Sequence, residues 1–273
     1  MLFLTGLVAG TVDAIAGGGG LISIPVLLGA GIPPHLALGT NKFQSSIGTF
    51  AAAYKYYQHG YASLKTALPG ILAGAIGAIA GSITAQMLSS DILYSLIPIL
   101  LSIIFVYTLF STKLGKIDIA PRMSEFLFYV LFGFGLSFYD GFFGPGVGSF
   151  WVFSISFFLG YNIIKATAYT KILNSNSNIV SMLCFALGSN IDYRIGICMA
   201  AGQLIGGRLG AHLAIRNGAK LIRPVFLSIV SLTLFSLLSK HYLHNQTLPI
   251  ILIFILLAFG SLTFYYRRFV RVR

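Results

Sequence analysis

The chain has 273 residues, of which 56% are hydrophobic and 9% charged, with 18 Lys and Arg against 6 Asp and Glu. A water-soluble domain carries about 25% charged residues, so this chain cannot clothe a water-facing surface; soluble enzymes, disordered chains and nucleic-acid binders are excluded. The net charge of +12 lies mostly in short loops between apolar segments and in the C-terminal tail, as in the cytoplasmic loops of membrane proteins.

Apolar segments of this kind read as helices, because lipid offers backbone N–H and C=O groups no partner outside the chain. Uncharged runs of 25 residues between Lys65 and Asp91, 21 between Asp91 and Lys113 and 26 between Lys240 and Arg267 each reach the roughly 20 residues a spanning helix needs. In chain order, long helices are expected over 2–16, 36–57, 65–87, 92–111, 126–142, 165–187, 194–215, 224–239 and 248–266. Two shorter apolar pieces, 21–33 and 148–160, follow glycine-rich breaks, Gly17–Gly20 and Gly144-Pro145-Gly146-Val147-Gly148. Such breaks free backbone groups, which a membrane tolerates only where protein or a cavity satisfies them. No positive stretch precedes Leu2–Ile15, so the first segment reads as a helix and not a signal peptide. Cys184 and Cys198 lie in apolar segments, without the spacing of a metal site or a disulfide framework.

The chain repeats itself. Val12-Asp13-Ala14-Ile15-Ala16-Gly17 aligns with Tyr139-Asp140-Gly141-Phe142-Phe143-Gly144 at an offset of 127, and Thr40-Asn41-Lys42 aligns with Tyr169-Thr170-Lys171 at 129. At that second offset Ser45, Ser46 and Thr49 face Asn174, Ser175 and Asn178, and Gly77 and Gly81 face Gly206 and Gly210. Two homologous halves, each with an interrupted segment in the same place, point to a transporter's binding site. The organisation expected is a first repeat over 1–111, a cytoplasmic loop over 112–125, a second repeat over 126–240, and an additional helix with a basic tail over 241–273. The basic loops 112–125 and 216–223 and the tail all fall on the cytoplasmic side only if the short pieces count as crossings. Each half then crosses five times, and an odd number inverts one half relative to the other. Lys55, His59 and Lys65 come to lie inside, Asp91 and Asp192 outside. The fold class is therefore an all-α transmembrane bundle of two inverted repeats with glycine-broken helices.

Asp13 and Asp140 each stand in an apolar helix, four residues before a glycine break. An unpaired charge at the bilayer centre costs at least about 2.5–3.5 kcal/mol, so both are candidate proton-coupling residues; the alternative is a structural pair capping free amides. Lys42, Ser45, Ser46 and Thr49 share one helical face, as do Lys171, Asn174, Ser175 and Asn178. A lysine offers three donors and a positive charge, so these stripes, with Lys42, Ser45, Ser46, Thr49, Lys171, Asn174 and Asn178, are candidate anion contacts; the alternative is that each lysine snorkels to the interface. Amides exposed at Gly17, Gly18, Gly19, Gly144 and Gly146 are candidates to cradle a substrate oxyanion. The stripes Gly70xxxGly74, Gly77xxxGly81 and Gly202xxxGly206xxxGly210 read as helix-packing faces. Arg208 has no counterpart in the first half, and the five histidines form no ligand cluster. No cofactor, metal or nucleotide motif is found.

Asp13-Ala14-Ile15-Ala16-Gly17-Gly18-Gly19-Gly20, Pro25 and Ala37-Leu38-Gly39-Thr40-Asn41-Lys42 resemble first-half motifs of the TauE/SafE sulfite-exporter-like family. Phe138-Tyr139-Asp140-Gly141-Phe142-Phe143-Gly144-Pro145, Lys165-Ala166-Thr167-Ala168, Lys171-Ile172-Leu173-Asn174 and Gly218-Ala219-Lys220-Leu221-Ile222-Arg223-Pro224 resemble its second half. The likeness spans roughly residues 1–240 and is greatest to the YfcA-like branch of probable membrane transporters. It implies a multi-pass permease of the bacterial inner membrane, with members linked to sulfite, sulfonate or other sulfur-containing and organic anions. The N-terminus is shorter than usual in the family, and the helix 248–266 with its Arg-rich tail is an addition. The reading is a non-enzymatic, ion-gradient-driven secondary transporter of a small anion. Its partners are the bilayer and that anion, with self-association left open. An intramembrane enzyme would need a nucleophile–base or metal cluster at one depth, and an assembly factor would have no need of twinned intramembrane charges.

Overall fold

A computed structural model describes residues 1–93, 96 and 117–217. The described residues form an all-helical protein: α1 (Leu2–Ala16), α2 (Gly20–Gly29), α3 (Pro34–Gln58), α4 (Leu64–Met87), α5 (Glu125–Phe142), α6 (Val147–Ser154) running into a π-helical turn (Ile155–Leu159), α7 (Ile163–Leu187) and α8 (Tyr193–Asn217). The long helices fall where the apolar segments place them, within two residues at either end. The short pieces differ from expectation. The first ends at Gly29, where a turn closes with Ile32 N–H on the Leu27 carbonyl. The second switches to π geometry for its last five residues. The expected helices 92–111, 224–239 and 248–266 lie, wholly or nearly so, outside the described residues.

Glycine stripes set the packing. A Cβ on Gly77 or Gly81 would stand 2.2 or 2.0 Å from the carbonyl oxygens of Phe134 and Phe138, so α4 and α5 touch backbone to backbone. Gly202, Gly206 and Gly210 meet the carbonyls of Phe3, Leu7 and Thr11 in the same way, each at 2.2 Å. In both pairs residue numbers rise together, so α4 runs parallel to α5 and α1 parallel to α8. Helix α3 also runs parallel to α8, since Gly196 touches Phe43 and Gly207 touches Gly48. Helix α7 follows α4, with Ser63 N–H on Tyr169 Oη and Gln86 on the Cys184 carbonyl. It opposes α3, where Gly39 lies against Phe185 and Asn190. Thus α1, α3 and α8 point one way, and α4, α5 and α7 the other.

These directions give the molecule two ends. At one, residues 35–40, 86–90 and 188–192 meet: His35 bonds the Leu88 carbonyl, Asn190 bonds Gln86 and Asp192 N–H bonds Thr40 Oγ1. At the other, the strap 117–124 lies on the turn between α6 and α7. Asp118 accepts Asn162 N–H at 2.7 Å and pairs with Lys165 at 3.6 Å, while Ile119 N–H reaches the Gly160 carbonyl at 2.8 Å. Gly160 is required there: its φ is +71°, and a Cβ would fall 2.2 Å from that Ile119 oxygen. Chain that leaves this end along α5 is thus back at it after α6.

Both the outside and much of the core are apolar, with a polar strip between α3 and α7. Leu68, Leu72, Ile76, Ile83 and Met87 expose an apolar stripe along the outside of α4, with comparable stripes on α5 and α8. Hydroxyls, amides and two ammonium groups of α3 and α7 are buried beside the apolar core. Contiguous exposed apolar surface on this scale fits lipid rather than water. Among the described residues, α4 is the one helix both long and apolar enough to span a membrane by length and composition alone. Helices α3 and α7 have the length, 25 residues each, but carry the central polar stripes.

Candidate functional site

Each half breaks a helix at the same place, and the two breaks touch. Gly17, at φ +74°, ends α1 in the left-handed region, and a Cβ on it would stand 2.3 Å from Gly148 Cα; the reverse substitution meets Gly17 Cα at 2.3 Å. A side chain at either position would drive the breaks apart. Freed carbonyls are taken up locally: Tyr56 Oη donates to the Ala14 oxygen at 3.1 Å, and Tyr139 Oη to the Pro145 oxygen at 2.8 Å.

Two ion pairs flank this contact, and each joins one half to the other. Lys42 Nζ of α3 lies 2.5 Å from Asp140 Oδ1 of α5, and Lys171 Nζ of α7 lies 3.0 Å from Asp13 Oδ2 of α1. Neither lysine snorkels; both ammonium groups are buried. The two aspartates do not share one site; each meets a lysine from the other half. Their surroundings are unequal. Asp140 also accepts Ser177 Oγ–H, and Lys42 also reaches Asn178 Oδ1 at 3.4 Å. Asp13 accepts Gly19 N–H at 3.3 Å and keeps 13% of its side chain exposed, against 3% for Asp140. Gly144, at φ +95°, must be glycine, because a Cβ would stand 2.7 Å from Lys42 Nζ and 2.9 Å from Asp140 Oδ1.

Between the pairs lies a small cavity of about 20 Å³, lined by Asp13, Gly17, Gly20, Asn41, Ser45, Asp140, Gly144, Val147, Asn174 and Asn178. That is room for about one water. Of the residues expected to contact an anion, Ser45, Asn174, Asn178, Gly17 and Gly144 line it. Lys42 and Lys171 stand behind the aspartates. Ser46 and Thr49 are turned away, their hydroxyls donating to the Phe43 and Ser45 carbonyls of their own helix. Gly18 and Gly146 do not line it, and the Gly19 amide is held by Asp13. The Gly17 and Gly144 amides bond the Asp13 and Tyr139 carbonyls, at 2.7 and 3.1 Å. Asn174 Oδ1 is buried without a partner. Gly20 and Val147 also line the cavity, and two polar side chains, Asn41 and Ser177, stand outside the expected set. Asn41 accepts from Ser23 and from Gln44 Nε2 at 3.2 Å and lines the cavity, a role its place beside Lys42 in Thr40-Asn41-Lys42 could have signalled. Ser177, on Asp140, lies off the Lys171 stripe and carried no signal. Among the described residues no cluster of His, Cys, Asp and Glu could hold a metal.

The family description "Sulfite exporter TauE/SafE" matches residues 2–237. The chain belongs to the TauE/SafE family. It is 40% identical over 233 residues to "Probable membrane transporter protein ORF9" of Sinorhizobium sp., covering 85% of this chain and 89% of that protein. It is 39% identical over 229 residues to "Probable membrane transporter protein YfcA" of Escherichia coli strain K12, covering 84% and 85%. A "Probable membrane transporter protein" of Haemophilus influenzae is 40% identical over 225 residues, covering 82% and 88%. No solved structure matches significantly. Family and relatives together establish a membrane protein of a transporter family, and their names point away from an enzyme.

Proposed function

We propose that this protein is a multi-pass, inner-membrane secondary transporter of a small anion, with sulfite, sulfonate and other sulfur-containing or organic anions as the substrate class. One observation carries the reading: two buried Lys–Asp pairs, crossed between the halves, stand where the two helix breaks meet. Each aspartate acts as a built-in anion that competes with substrate for its lysine. An entering anion takes Lys42 or Lys171 as the carboxylate lets go. A carboxylate that loses its lysine in a buried site favours its neutral form, so it binds a proton as it leaves. Anion and proton are thus taken up together, and lower pH on the loading side favours loading. Asn174 and Asn178, with Ser45 and the glycine amides, then surround the anion's remaining oxygens.

An inverted arrangement of the halves is part of the proposal. Helices α1, α3 and α4 align by sequence repeat with α5, α7 and α8, and each member runs opposite to its counterpart. Inverted repeats meet at a shared midplane site and alternate access by rocking about it. The test is uptake of radiolabelled anion into proteoliposomes under an imposed pH gradient. Accumulation should follow the proton gradient in the native protein. Asp13→Asn and Asp140→Asn should keep counterflow exchange but lose pH-driven accumulation; accumulation that persists in both variants would remove the aspartates from coupling.

A further inference from the structure

On the outer face, at the end carrying the strap 117–124, an open groove of about 370 Å³ separates α3 from α8. Tyr54, Lys55 and Gln58 line one side, Arg208, Leu209 and His212 the other. The groove shares no lining residue with the central cavity. The internal repeat supplies a control. At the offset of 129 the same helix pairing recurs between α7 and α4, where the six positions are Leu183, Cys184, Leu187, Ile79, Ala80 and Ile83. The equivalent helix pair thus presents an apolar surface in the other half, so packing does not require the basic residues here.

Those cations have no carboxylate to meet. All six acidic side chains of the chain lie elsewhere. Asp13 and Asp140 are ion-paired at the centre, and Asp118 and Glu125 are held by Asn162 and Tyr161 at the strap. Asp192 accepts amides at the start of α8, at the opposite end, where Asp91 also lies just beyond Leu88. The groove thus presents uncompensated positive charge to an anion from outside the chain. Leu209 in the groove is 49% exposed, and Phe50 and Tyr57, neighbours in sequence of the groove residues on α3, are 59 and 47% exposed. A guanidinium fork grips phosphate in two-point fashion, and basic clefts between helices at the cytoplasmic face suit anionic headgroups.

We infer that this groove is a binding site for an anionic phospholipid, its phosphate held by Arg208 and Lys55 and its acyl chains lying along Phe50 and Leu209. The inference rests on the membrane location and not on the transported anion. Full-length protein in neutral detergent is titrated with phosphatidylglycerol, phosphatidylcholine or inorganic phosphate, and binding is read by native mass spectrometry and thermal stability. Phosphatidylglycerol should be retained and raise the melting temperature by several degrees, with phosphatidylcholine and free phosphate doing neither. Lys55→Gln/Arg208→Gln should weaken phosphatidylglycerol retention at least tenfold, and Arg208→Lys should weaken it less. Should the double variant fail to fold, the inference stands or falls on the native protein's preference among the three probes together with Arg208→Lys. Equal retention of both lipids, an equal effect of free phosphate, or undiminished retention in the folded variants would each overturn it.

Discussion

At the scale of single residues the site is a set of charges made tolerable by one another. Removing one partner of a buried pair is strongly destabilising, by about 3–5 kcal/mol, because the other charge is left uncompensated. Lys42→Ala should therefore abolish transport and also lower stability. Adding Asp140→Asn should restore much of the stability without restoring transport. A thermal-melt double-mutant cycle checks the first statement, and uptake the second. The loss should be smaller for Asp13→Asn than for Asp140→Asn, since Asp13 is the more exposed carboxylate and lacks a serine partner. Asp118 serves as the pH control. The backbone N–H of Asn162, and then Lys165, hold its carboxyl below the ordinary carboxylate range. A group whose folded pKa is lowered stabilises above its unfolded pKa and loses that contribution as pH falls through the folded value. The strap should thus loosen only below about pH 4. A pH dependence of transport near neutrality that survived in Asp118→Asn would belong to another group, and the central aspartates are the expected source.

At the scale of elements, glycine decides where helices approach and where they stop. Gly17→Ala meets both a left-handed φ and the backbone of Gly148, so it should lower the melting temperature and eliminate transport. Gly31→Ala is the matched control: its φ is +84° with nothing within 4 Å of a Cβ, so only the left-handed cost of about 1–2 kcal/mol applies and transport should persist. The small-residue stripes were legible in the sequence, because GxxxG spacing encodes a face whatever its partner. The helix limits were legible for the same local reason. The pairing of charges was not. Repeat alignment puts Asp13 with Asp140 and Lys42 with Lys171, yet the contacts join Lys42 to Asp140 and Lys171 to Asp13, across 98 and 158 residues. That crossing follows from how two broken units pack on each other, which no local spacing records. The closure of the glycine amides on Asp13 was hidden for the same reason.

At the scale of the whole molecule, charge and helix direction agree. Lys55, Lys65, Arg122, Lys165, Arg208 and Arg216 gather at the end of the strap, while Asp91 and Asp192 lie at the other, reached by following α3, α4, α7 and α8 from end to end. Cytoplasmic loops carry the excess of Lys and Arg, so the strap end should face the cytoplasm. Single cysteines test this after Cys184 and Cys198 are replaced by alanine. His59→Cys and Asp118→Cys report the strap end, Asp91→Cys and Arg194→Cys the other, all four at exposed positions. In intact cells an impermeant maleimide should label 91 and 194 and spare 59 and 118 until the membrane is opened. The reverse pattern would keep the bundle but turn it over, making proton-coupled loading at the central pairs run from the other face. Labelling of 59 and 194 from the same side is a different matter. Parallel α3 and α8 put the end of one beside the end of the other, so positions 59 and 194 sit a full helix length apart, and that result would break the membrane-spanning reading itself.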